Sequence, residues 1–121
     1  MSAFPIIDRV SASRVPPVRS LQKAGVKVYA METTERSVSY ADTDFAPQPG
    51  VALVLGNEQI GVDTQVLAAC DGIVEIPTFG LKNSLNVASA GAIVVYEVLR
   101  QWGALDADTG GSEGGALIRG E

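Results

Sequence analysis

The residues of this chain best suited to chemistry fall in two short clusters between positions 55 and 86. The first is Leu55-Gly56-Asn57-Glu58, and the second runs from Ile76-Pro77 through Gly80 to Asn83-Ser84-Leu85-Asn86. Each follows an apolar run that stops abruptly, so main-chain amides and carbonyls are expected to be available there beside one carboxylate, Glu58, and the carboxamides of Asn57, Asn83 and Asn86. Such groups suit an adenosine-sized ligand held largely by backbone better than they suit a triphosphate. GNEQIGVD is not a phosphate-binding P-loop, since no Lys-Ser/Thr pair follows Gly61, and no G-x-G-x-x-G occurs anywhere in the chain. Plainer uses stand beside these: Gly56 and Gly80 as turn residues, Ser84 as a helix cap, Glu58 and Lys82 as solvated loop charges.

Composition narrows the chemistry further. With no histidine and a single cysteine, the chain has no imidazole base, no disulfide framework and none of the common zinc spacings, so no metal site is expected. Cys70, inside the apolar run VLAAC, reads as a small core residue. A length of 121 residues bounds the chain to one domain, and 46% hydrophobic against 19% charged residues indicates a globular fold. The formal net charge of −5 gives no whole-molecule attraction to nucleic acid or anionic membrane, so any RNA contact must be local. No apolar run reaches the ~18 residues of a membrane span, and the N-terminus lacks the order of a secretory signal. A cytoplasmic protein is the default expectation, with Arg9, Arg14 and Arg19 a hint of organellar import.

Several elements must position the two clusters. Residues 1–16 show no clear period; the Pro16-Pro17 pair then bars regular helix at its first member, and Pro17 opens a helix through Val18, Leu21 and Ala24, stopped by Gly25. VKVYAM, 26–31, reads as a buried strand, and 32–50 as a long surface loop pinned by Tyr40 and Phe45. VALVL, 51–55, is continuously apolar, as in a parallel strand covered on both faces. Asp63 caps a short helix over 64–70, IVEI at 73–76 is the next strand, and Pro77 closes it. Ser84 is expected to cap a helix ending near Trp102 that carries two apolar stripes, one through Leu85, Ala88, Ala92, Val95, Leu99 and Trp102, the other through Val87, Gly91, Val94 and Val98. Two stripes fit a helix packed on its own sheet and on a partner's helix. After Gly103, the glycine-rich residues to 121 read as a flexible tail. In an open parallel sheet ligands settle outside the carboxyl ends of the strands, so both clusters should share one edge.

LVLGNEQIGV, IVEIP and GLKNSLNVASAGAIVVYEVLRQ, taken in order and at their spacing, closely resemble the second and third motifs of the SpoU/TrmH family of RNA ribose 2'-O-methyltransferases, over roughly residues 18–102. The resemblance implies an α/β SPOUT fold with a parallel sheet flanked by helices and a C-terminal trefoil knot. It also implies S-adenosylmethionine as cofactor, tRNA or rRNA as partner, and a homodimer formed through the C-terminal helix. Cofactor contacts carry over to Gly56, Ile76 and Leu85, with Leu55, Asn57, Pro77 and Gly80 beside them, while Glu58, Ser84 and Asn86 match positions that organise the site and its RNA. The family's first motif, N-x-G-x-x-R, is not found: none of Asn57, Asn83 and Asn86 begins it. Residues 1–102 therefore read as an N-terminally truncated catalytic domain followed by the tail. A non-catalytic cofactor- or RNA-binding scaffold, or a partner subunit of a complete methyltransferase, is the alternative.

Overall fold

A computed structural model describes residues 6–11, 15–45, 50–56, 60–78, 86–104 and 117–119. In chain order the elements are β1 (Ile6–Ser11), α1 (Val15–Lys23), β2 (Lys27–Met31), β3 (Val38–Ser39), a 3-10 turn (Tyr40–Asp42), β4 (Gly50–Leu55), α2 (Thr64–Ala69), β5 (Gly72–Glu75), α3 (Val87–Gln101) and β6 (Leu117–Arg119). The strands form one sheet in the order β3-β5-β2-β4-β1-β6, and every pairing is parallel.

Strand β4 shows why its apolar run is unbroken. Side chains alternate between the two faces of a strand, and both faces here are covered. Val51 and Leu53 pack with Phe45, Val74, Val94, Val98 and Leu99 under α3, whereas Ala52 and Val54 pack with Val18, Val28, Ala30, Val62 and Val66 under α1 and α2. Each valine so enclosed contributes about 1.5–3 kcal/mol relative to an exposed one.

The loop before β4 is fixed from α3. Phe45 is 1% exposed and meets Tyr29 edge to face. Gln101 Oε1 accepts from Phe45 N at 2.9 Å, Gln101 Nε2 donates to Thr43 O at 2.8 Å, and Trp102 Nε1 donates to Phe45 O at 3.0 Å. Tyr40, half-buried, packs on the same cluster, as the pinning role predicted for it requires.

Four expectations are corrected. Residues 6–11 form β1, beside β4, where a 1–16 segment without period was expected; its backbone is satisfied by pairing with Gly50–Leu55 and not by any pattern of its own. Helix α1 begins at Val15, with Pro16 and Pro17 inside its first turn, where N–H groups have no intrahelical partner to lose. The 32–50 loop contains β3, paired with β5. Within the residues read as a flexible tail, Leu117–Arg119 form β6 alongside β1.

Candidate functional site

Because all the strands run the same way, their carboxyl ends share one edge. Met31 of β2 stands in register with Leu55 of β4 on one side and Val74 of β5 on the other, and Ser11 of β1 with Leu55. Gly56 therefore leaves the sheet one residue beyond this line and Ile76 two residues beyond it. The side chains of Leu55 and Ile76 are half-buried on the α3 side, against the same cluster as Met31 and Trp102. Helix α3 reaches β4 here: a side chain at Gly91 would come within 3.3 Å of Leu55 Cδ1. Pro77 follows, exposed.

The helix start differs from expectation. The cap is Asn86, not Ser84, and α3 begins at Val87. Asn86 Oδ1 accepts from Ala88 N at 2.8 Å and Ser89 N at 3.4 Å, and the Asn86 carbonyl accepts from Ala90 N at 2.8 Å. Asn and Ser are equivalent caps by propensity, so sequence alone did not choose between them. Of the residues singled out above, Leu55, Gly56, Ile76 and Pro77 are brought to this edge, and Asn86 opens the helix that reaches it at Gly91. Asn57, Glu58, Gly80, Ser84 and Leu85 lie outside the described residues.

The loop opened by Gly56 returns onto it. A Cβ at Gly56 would lie 2.7 Å from Gly61 O and 2.7 Å from Val62 N, so only glycine permits this approach. Gly61 has φ +79°, and its α-carbon faces the carboxylate of Glu32, whose Oε2 accepts from Val62 N at 3.0 Å. Glu32, immediately after β2, also donates its own N–H to Val74 O at 3.1 Å. It was expected only to begin a surface loop, and nothing in its spacing marks it. Beyond it, Ser37 Oγ donates to Glu75 Oε1, tying the following turn to the end of β5.

Elsewhere the chemistry is quiet. The Cys70 thiol is pushed up to about 11, first by burial and then by Asp71, so it stays protonated at neutral pH; expected in the core, it lies half-buried at the margin of the cluster under α1 and α2. Among the described residues no group of three or more His, Cys, Asp or Glu side chains is placed to hold a metal ion, and no helix is long and apolar enough to cross a membrane.

The sequence and the fold both have known relatives. Residues 3–96 match the model of the SpoU rRNA Methylase family. The tRNA (guanosine(18)-2'-O)-methyltransferase of Thermus thermophilus is 35% identical over 83 residues, covering 69% of this chain and 42% of that protein, so the chain spans less than half of that relative's length. Among solved structures, the A. aeolicus TrmH/SpoU tRNA modifying enzyme superposes with a TM-score of 0.64 at 32% identity, covering 72% of this chain and 43% of its own. The SpoU methyltransferase AviRb of Streptomyces viridochromogenes, solved in complex with AdoMet, gives 0.59 at 32% identity over 70% of this chain and 33% of its own. By its sequence over most of its length and by its fold, this chain belongs to the SpoU rRNA methylase family.

Proposed function

We propose that this chain binds S-adenosylmethionine at the carboxyl edge of its sheet and serves the 2'-O-methylation of ribose in tRNA or rRNA. The observation that carries the reading is that the ends of β4 and β5 share one edge in a SpoU-family chain and that α3 reaches this edge at Gly91. The half-buried side chains of Leu55 and Ile76 offer an apolar floor for a flat base, and the main chain beyond them, at Gly56 and Pro77, has left the sheet. That combination fits an adenosine moiety. We assign Leu55, Gly56, Asn57, Ile76, Pro77, Gly80 and Leu85 to holding it, and Glu58, Ser84 and Asn86 to placing the ribose and the RNA. When bound, the cofactor supplies an electrophilic methyl group on a sulfonium. The protein's task is then in-line placement of a weakly nucleophilic hydroxyl and a proton acceptor near it.

The finer features implied by the family resemblance are proposed with it: the C-terminal trefoil knot, action in the cytoplasm, and a homodimer through α3. On α3, Ala88 and Ala92 are exposed and Tyr96 is 61% exposed on one face, small enough at two of three positions for a second helix to approach. Sedimentation of the chain reads the dimer directly.

Calorimetric titration with S-adenosylmethionine tests the site. Saturable binding is expected, weakened in Asn86→Ala, which also loses about 1 kcal/mol of stability with its cap. No binding by the folded wild-type chain would refute the reading. One observation favours a second: N-x-G-x-x-R is not present in the 121 residues. Since a positioned base is worth ~10²–10⁴ in rate, sound binding without methyl transfer to bulk tRNA or rRNA would identify a scaffold or the partner of a complete methyltransferase.

A further inference from the structure

We propose that Glu32 is a positioning residue for the cofactor edge, an inference that rests on the cofactor reading above. The observation is that a single residue fixes both loops assigned to the ligand. Through its N–H it continues the pairing of β2 with β5 as far as Val74, two residues before Ile76. Through its carboxylate it holds Val62 N at 3.0 Å, where the loop from Gly56 re-enters the core. Val62 is only 5% exposed, so its N–H has little access to water and needs an acceptor within the protein. A charged acceptor makes that hydrogen bond roughly twice as strong as a neutral one.

Three contacts form a relay: the Glu32 carboxylate faces Gly61 and Val62, and these lie against Gly56. Each is close enough that a methyl group at Gly56 or Gly61 would displace it. Glu32 does not itself line the apolar floor. Met31 packs on the α3 side with Leu55 and Ile76, so the next residue along the strand points to the opposite face, where Val62 packs. Its influence on the ligand therefore passes through the backbone of the loop.

Titration of the full chain with S-adenosylmethionine, alongside thermal unfolding of each variant, tests this. Glu32→Ala is expected to weaken binding by about tenfold or more, the effect of losing one hydrogen bond to a charged acceptor. Glu32→Gln keeps an acceptor oxygen at the same reach and is expected to stay within about threefold of wild type. Glu32→Asp, one methylene shorter, serves if the alanine variant does not fold, and should behave like it. Asp71→Ala, which breaks hydrogen bonds at the opposite end of β2, is expected to lower the melting temperature with unchanged affinity. Binding by folded Glu32→Ala or Glu32→Asp equal to wild type overturns the inference and leaves the site reading standing. So does a loss in Asp71→Ala as large as in Glu32→Ala, which would make the effect one of general stability. Absence of binding in the wild type overturns both.

Discussion

The two ends of strand β2 are each held by a carboxylate that accepts a backbone N–H, yet they are built differently. At the amino end, Asp71 Oδ2 takes the N–H of Val28 at 2.8 Å while Asp71 N donates to Val28 O at 2.8 Å. Gln22 of α1 adds to this, donating to the same Oδ2 at 3.1 Å and to Ala69 O at 2.8 Å. Helix α1, strand β2 and the end of α2 are thus cross-tied by several bonds. At the carboxyl end, among the described residues, the Glu32 side chain accepts one such bond, from Val62, in a setting of two glycines. Redundant ties make an anchor, whereas one tie leaves a segment whose local opening free energy lies below the global value.

The strongest way to break the contrast is Gly61→Ala. It puts a side chain at φ +79° and drives a methyl group into the Glu32 carboxylate, and we expect a loss of roughly 2–4 kcal/mol by urea unfolding. In a Glu32→Ala background the obstacle is gone, and the same change should cost only the backbone share, about 1–2 kcal/mol. A double-mutant cycle reads the difference, and additivity would show that the contact carries no energy. Next, Asp71→Ala should lose about 1–2 kcal/mol with the site unaltered, since its bonds lie where the residue is partly solvated. Equal losses of protection in hydrogen exchange at both ends of β2 in this variant would show that the two ends are held alike.

The smallest effect concerns a third carboxylate, away from both ends. Glu97 is held down to about 2, below the ordinary 4.5, by hydrogen bonds from Arg100 and then Gln101. A lowered native value means its contribution is complete above pH 4.5 and is lost as pH falls towards 2. With Arg100 largely exposed, salt and solvent keep the sum under about 1 kcal/mol. Glu97→Gln should therefore lower the melting temperature at pH 7 by about 4 °C at most, the shift such an energy gives in a domain of this size, and converge on wild type in acid. A constant gap from pH 7 to pH 2 would refute the assignment.

What sequence disclosed follows from what is local. The ends of β4 and β5 were legible because apolar runs stop at Gly56 and Pro77, and the packing of α3 because Val94 and Val98 recur at helical spacing and are fully buried. Cap residue Asp63 was legible as well, its Oδ1 accepting from Gln65 N at 2.8 Å. Strand β1 was not, because IIDRVS owes its conformation to Gly50–Leu55, far along the chain. Asn86 displaced Ser84 as cap because two good caps stand two residues apart. Glu32 was invisible for a similar reason: its partner is 30 residues away and is a backbone atom, which has no residue type to notice.

The grip of Glu32 on a backbone N–H bears on how this chain can vary. A latch gripping main chain does not discriminate among amino acids at position 62, and proline alone, having no hydrogen to give, would disarm it outright. This latch is therefore written at position 32 and in the two glycines, and a side-chain exchange at position 62 that keeps the N–H leaves its hydrogen bond in place.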